Sequence, residues 1–391
     1  MTSLRSWITG VLLHPVTNGN RMVSTGSTTV EFGGLIERAL KGLVPMFDVE
    51  SQLFCHRLKQ GGDQFAREGL SRRYTIMTLL GLQRSENAGL KSPVEILPVL
   101  EGLLRDTDWV TNIGDLGLLL WICAASSPDR LREICSKVDL QRTYNQSREV
   151  REGRTMELAW LLSGLAHASL SVPGELPGIE ELAQRTHEQL RRNQGNHGFF
   201  GHLRRGGAGL GLLRGRIGSF ADQVYPIYAL SKFAQTYGMR DALESAKSCA
   251  DGICRVQGPM GQWWWHYNAA TGRVVERYPV YSVHQEGMAP MALFALEEAT
   301  GLDYGEAIHK GLRWISGNNE LACDLREASG VVWRCIYHGS KHRVYLDRLL
   351  SFLGSDADGS FPNSKRVLLE CRPYELGWLL YALAGRQFAT N

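Results

Sequence analysis

The 391-residue chain lacks most of the marks by which a sequence declares its chemistry. Its eight cysteines (Cys55, Cys123, Cys135, Cys249, Cys254, Cys323, Cys335 and Cys371) are scattered. With no CxxC pair and no disulfide-framework spacing, they read as free thiols of a reducing, cytoplasmic setting. No apolar run approaches the roughly 20 residues that cross a bilayer, so no stable membrane span is expected. The run "SWITGVLLHP" (6–15) is short and has no convincing cleavage site, which leaves at most a weak membrane contact. A net charge of +3 from 43 basic and 40 acidic residues is close to balance, and nothing in it points to nucleic acid. The basic clusters Arg191-Arg192, Arg204-Arg205 and Arg214-Arg216 are short and glycine-flanked, as solvated loops are, with an anionic ligand as the alternative. Serine-elbow, HExxH and cysteine-protease signatures are absent, and the glycine-rich "LRRGGAGLGLLRGRIGS" (203–219) has no P-loop ending. It reads as a loop over a binding site, and no cofactor is expected.

What is present is a repeat. The segment "GSFADQVYPIYALSKFAQTYG" (218–238) matches "YSVHQEGMAPMALFALEEATG" (281–301), and "LRRNQGNHGFFGH" (190–202) matches "ICRVQGPMGQWWWHY" (253–267). The offset is 63 residues at the Gln-Gly pair and 64 at the acidic residue, so two landmarks keep one register. Fainter copies begin at Asp115, Glu157 and Glu375, and Tyr74 takes the leading place in "RRYTIMTLLGLQ". These segments are apolar almost all round, the signature of a helix buried on every side. Between them lie amphipathic stretches such as "GIEELAQRTHEQLRR", suited to an outer layer. The pattern predicts an all-α fold, an α/α toroid of six or seven helical hairpins, with an open solenoid as the alternative. At most a small β-hairpin is expected near 272–281. Residues 1–70 are expected to be a helical segment packing on a toroid at 71–387, or else part of one continuous domain.

With acidic residues opening the inner helices and Q-G-x-x-G-x-W closing an outer one, the chain resembles the α/α-toroid superfamilies over about residues 70–387. One group comprises the six-hairpin glycosidases with related polysaccharide lyases and epimerases; another comprises the terpenoid cyclases and protein prenyltransferases. "CRVQGPMGQWW" resembles the aromatic repeat of the terpenoid cyclases, although DxDD and DDxxD motifs are absent. "WRCIYHG" (333–339) with Cys371 is similar to the lanthionine cyclases, in which cysteine and histidine bind zinc. The dense ligand spacing of that group is missing, and no metal is expected at Cys335, His338 and Cys371.

The first turns of the inner helices should face a common bowl, where free N–H groups and the helix dipole favour acidic side chains. Asp115, Glu157, Asp222, Glu286 and Glu375 hold that place. Each is also an ordinary capping residue. Converging carboxylates are what glycosidic-bond chemistry requires, one protonated and one charged. Glu286 is the expected acid, crowded by Tyr278, Tyr281, His284 and Gln285; Asp222, followed by Gln223 and Tyr225, is the expected second carboxylate. His284 suits a base or an orienting role. In a lyase or epimerase, Arg277, Arg273 or the 204–216 arginines would hold a uronate carboxylate. Trp263, Trp264 and Trp265 should alternate in direction, so that Trp264 faces away from the other two. The expected partner is therefore an oligo- or polysaccharide and the expected activity a glycoside hydrolase, with lyase or epimerase as variants. A terpenoid-cyclase-like or prenyltransferase-like protein and a non-catalytic glycan- or protein-binding toroid of polysaccharide biosynthesis are the alternatives.

Overall fold

The computed structural model describes residues 32–62, 64–203, 215–338 and 365–386, all within one unit, Val30–Phe388. In chain order the elements are α1 (Phe32–Leu43), β1 (Phe47–Asp48), β2 (Leu53–Gly61), β3 (Gln64–Leu70), α2 (Arg72–Asn87), α3 (Ile96–Arg105) and α4 (Ile113–Ser126). Then come α5 (Pro128–Lys137), α6 (Leu140–Gln146), α7 (Arg148–Glu152), α8 (Thr155–Ser171), α9 (Ile179–Arg191), β4 (Ile217–Ser219), α10 (Ala221–Tyr237) and α11 (Arg240–Arg255). The chain continues through β5 (His266–Asn268), β6 (Arg273–Glu276), β7 (Val280–Tyr281) and α12 (Ala289–Thr300), which is entered through a π-helical turn, His284–Met288. The last elements are α13 (Gly305–Ile315), β8 (Cys335–His338), β9 (Lys365–Leu368), β10 (Glu370–Cys371) and α14 (Pro373–Leu383).

The fold is an α/α toroid. Helices α2, α4, α8, α10, α12 and α14 pack side by side in that order, and α14 returns to α2, which closes the ring. Amphipathic α3, α5, α9, α11 and α13 each pack outside the inner helix that precedes them, and α1 packs outside α14. Among the described residues this makes six hairpins, the last assembled from both ends of the chain. The inner helices approach to backbone contact through facing glycines: a Cβ on Gly164 would lie 2.1 Å from the Gly117 carbonyl oxygen, and one on Gly81 equally close to that of Gly377.

The repeat has a mechanical meaning. Gln194, after α9, donates to the carbonyls of Gly198 (2.8 Å) and Ser245 (2.9 Å), tying its own turn to α11. Gln257 donates to Gly261 (3.0 Å) and Ala307 (2.9 Å), tying the next turn to α13. A half-buried amide that satisfies two carbonyls in both copies explains why Gln-Gly recurs at this offset.

Strands are more numerous than the single hairpin expected near 272–281. Among the described residues three small sheets form: β1-β2-β10 with β3 beside β2, β4-β5-β6, and β7-β8-β9. Within the expected segment 1–70, residues 32–43 form α1, whereas 53–70 is a hairpin. Phe54 and Leu58, four apart and both buried, imitate helical spacing, but Gly61-Gly62 turns the chain back and β3 pairs along β2. Strands β3, β4, β7 and β10 lead into α2, α10, the π turn and α14. The sheets thus stand at the rim where four inner helices begin. Residues 204–214 of the glycine-rich stretch, with Arg204, Arg205 and Arg214, lie outside the described residues, as does the N-terminal run 6–15. Among the described residues no helix is long and apolar enough to cross a membrane.

Candidate active site

Five inner helices present a carboxylate in their first turn. Asp115 is fixed by Arg73, one helix away on α2: Nε donates to Oδ1 at 2.5 Å and Nη2 to Oδ2 at 2.9 Å. The Arg73 guanidinium also lies 5.4 Å from the Trp160 ring centroid, a cation–π contact. Both carboxylate oxygens of Asp115 are therefore occupied.

Glu157 and Asp222, on neighbouring α8 and α10, are held in contrasting ways. Asp222 Oδ2 accepts from the Ser219 backbone N–H (2.8 Å), Ser219 Oγ (2.9 Å) and His202 Nδ1 (3.1 Å). Three donors thus converge on one oxygen, while Oδ1 is enclosed without a hydrogen bond. Glu157 has no such support: Oε2 is enclosed without a hydrogen bond, and Oε1 is 3.9 Å from Arg154 Nη1. Burial raises the Glu157 pKa, and the charge of Asp222 raises it further. The bond to Asp222 raises the pKa of His202. A carboxyl whose protonated form is favoured by burial thus stands near an aspartate held by three donors.

A cationic arc completes the rim. Glu370 on β10 meets Arg334 Nε at 3.2 Å, Arg57 Nη1 at 3.3 Å and Arg372 Nη2 at 3.4 Å. Arg334 also pairs with Glu375 on α14 and lies 4.9 Å from the Tyr281 ring centroid. Arg372 Nη1 donates to Tyr74 Oη at 2.8 Å, and Tyr74 lies against Tyr374 and His56. The floor is aromatic: Trp378 Nε1 donates to Tyr225 Oη at 2.9 Å, and Tyr225 meets Trp160 edge-on.

The expected tryptophan alternation is present. Trp263 is buried against Phe220. Trp264 turns the other way, donating to the Val256 carbonyl at 2.8 Å, with Arg277 5.4 Å from its ring centroid. Trp265, partly exposed, stacks on His284 and meets Tyr281 and His266.

Several expected site residues are placed elsewhere. Glu286 is 0% exposed, and neither carboxylate oxygen has a hydrogen bond. Burial drives its pKa well above the ordinary value, with Glu375 adding to the effect. It sits in the π turn, whose wider winding shifts the register and directs this carboxylate into the wall. His284 is buried between Phe220 and Trp265, and burial lowers its pKa to about 3, so the ring stays neutral. Gln285 lies towards α13 beside Gly311. Tyr278 Oη donates to Glu320 at 2.7 Å, where Gln262 and Trp314 also converge. Arg277 and Arg273 are exposed, and Arg277 covers Trp264. The arginines at the rim are instead Arg73, Arg57, Arg334 and Arg372. His202 was quoted only inside a repeat, and the three later arginines come from rim segments with no periodicity. Among the described residues no group of three His, Cys, Asp or Glu side chains is disposed to hold a metal ion.

No family model matches the chain, and no curated protein does. Solved structures do match in fold. An unsaturated glucuronyl hydrolase from Streptococcus agalactiae is 11% identical with a TM-score of 0.58, covering 93% of each chain. A possible member of the GH105 family from Salmonella enterica serovar Paratyphi A is 11% identical with a TM-score of 0.59, covering 96% of this chain and 98% of that one. An unsaturated glucuronyl hydrolase specific for heparin is 13% identical with a TM-score of 0.54, covering 90% and 95%. The chain therefore has the fold of the six-hairpin α/α-toroid proteins along nearly its whole length.

Proposed function

We propose that the protein is a glycoside hydrolase acting on an oligosaccharide that carries an acidic sugar. The observation that carries this reading is the Glu157 and Asp222 pair: one carboxyl with its pKa raised by burial, the other fixed by three donors, on adjacent inner helices. Glu157 acts as the general acid that protonates the leaving oxygen, and Asp222 acts as the charged partner. Asp222, 1% exposed but held by its donors, keeps the role expected of it, and the acid is assigned to Glu157, 6% exposed, over Glu286, which is 0% exposed with no hydrogen bond on either oxygen. Glu286, His284 and Trp263 shape the wall; Trp265 and Tyr281 offer ring faces to the sugar.

The acidic substrate draws on Arg57, Arg334 and Arg372, whose planar guanidiniums suit a carboxylate and share Glu370 as their partner, which a substrate carboxylate would replace; Arg73 is held by Asp115. The fold neighbours named as glucuronyl hydrolases support the same choice. A rim of carboxylates and arginines argues against a terpenoid-cyclase-like cavity, which would be apolar and closed.

The test is turnover of dGlcA-GalNAc6S, the disaccharide bound to a neighbour, and of 4-nitrophenyl β-glucuronide, by wild type, Glu157→Gln and Asp222→Asn. Loss of turnover by about a hundredfold or more in both variants supports the reading. Full activity in either variant removes that residue from the chemistry. Binding without turnover in every form favours a glycan-binding toroid.

A further inference from the structure

The sheet β4-β5-β6 carries a polar row that the chemistry above does not use. Ser219 on β4 lies opposite His266 on β5, and His266 lies opposite Glu276 on β6. Cross-strand neighbours share a face of the sheet, so the three side chains form one line. Both ends of the line are bonded. Glu276 Oε2 is 2.7 Å from His266 Nδ1, and Ser219 Oγ donates to Asp222 Oδ2 at 2.9 Å. Glu276 is buried, whereas 24% of the His266 side chain is open. The Trp265 ring leans on the imidazole with centroids 4.8 Å apart.

A carboxylate only accepts, so its bond to Nδ1 places the proton of the neutral ring there and leaves the lone pair on Nε2. In that tautomer Nε2 is an oriented acceptor beside a partly exposed tryptophan and one strand from Ser219, whose Oγ bonds Asp222. A ligand group that satisfies it must donate, as a sugar hydroxyl does.

We infer that His266, oriented by Glu276, is a substrate-contacting residue whose Nε2 accepts a hydrogen bond from a hydroxyl of the sugar seated against Trp265. This rests on the glycosidase reading of Glu157 and Asp222. Its contribution is to affinity and to the choice of sugar, and Glu276 is the positioning residue that keeps the tautomer. Gln extends about as far as Nε2 and offers a carbonyl acceptor there; Phe keeps the ring and offers none.

The test is steady-state kinetics on dGlcA-GalNAc6S with His266→Phe, His266→Gln and Glu276→Gln, each with its thermal midpoint. His266→Phe is expected to raise KM about tenfold, the worth of one ordinary hydrogen bond, with kcat within about threefold of wild type and the midpoint kept. His266→Gln is expected to recover most of the KM, and Glu276→Gln to fall between. An unchanged KM in His266→Phe, with Glu157→Gln inactive, overturns this inference and leaves the glycosidase reading standing. A lowered midpoint with equal loss of kcat and affinity in both His266 variants overturns it in favour of a tie between strands. Full activity in Glu157→Gln removes Glu157 from the chemistry and overturns the Glu157 and Asp222 reading on which this inference rests.

Discussion

Arg73 closes on Asp115 through two parallel hydrogen bonds, Nε to Oδ1 and Nη2 to Oδ2, joining the first turns of two adjacent inner helices. Removing one partner strands a largely buried charge, whereas removing both does not. Arg73→Met is expected to cost about 2–3 kcal/mol, read by chemical denaturation. Adding Asp115→Leu is expected to return most of it, and a double variant no more stable than Arg73→Met would refute this.

Glu157 and Glu286 both have raised pKa values because burial opposes their charge. Below the ordinary glutamate value of 4.5 the folded and unfolded chains carry the same protons there. As pH rises past it the unfolded chain ionises first, so wild-type stability falls until the folded group also ionises. Glu286→Gln removes that loss. Its stability relative to wild type is expected to grow from about pH 4.5 upward, read by urea unfolding across pH, and a difference independent of pH would contradict the buried neutral acid.

His202 shows the opposite sign. Its pKa is raised by the bond to Asp222, so the stabilisation is complete below the ordinary histidine value of 6.5 and disappears as pH rises through the folded value. NMR titration is expected to place His202 above 6.5, and Asp222→Asn to bring it down. An imidazole that titrates identically in both proteins would show that the bond is not formed.

The three tryptophans are expected to separate in their effects. Trp263→Ala removes a buried ring and costs about 3–5 kcal/mol. Trp264→Ala loses a carbonyl bond and the cover of Arg277, lowering stability with little effect on turnover. Trp265→Ala leaves the core nearly intact and raises KM. Equal losses of stability in all three would refute the alternation.

The inner ring was legible because burial on every side writes itself as apolar helices, all but α2 opened by one acidic residue. The Gln-Gly repeat was legible because Gln194 and Gln257 perform one task twice. Arg334 was not, since it reaches Glu375 from 41 residues away along an irregular rim segment. The burial of Glu286 was hidden for a different reason. Its position in the alignment equals that of Asp222, but a π turn changes which way the same register points. His266 escaped because its partners are defined by strand pairing, which local sequence around a bulge does not reveal.

The sixth hairpin joins α14, near the end of the described chain, to α1 at its beginning. Gly42 of α1 lies so close to the Gly330 carbonyl that a Cβ would stand 2.5 Å from its oxygen, and Arg38 and Lys41 bond the backbone at Glu327 and Ala328. A linear array of repeats can grow one unit at a time and fray from its ends. A circle sealed in this way forbids that: its final interface forms only when the two sequence extremes meet, so the seam contributes one more interface than an open row and makes unfolding a collective event. Cutting α1 away would strip α14 of its outer cover and leave the meeting of α14 with α2 to hold the circle alone.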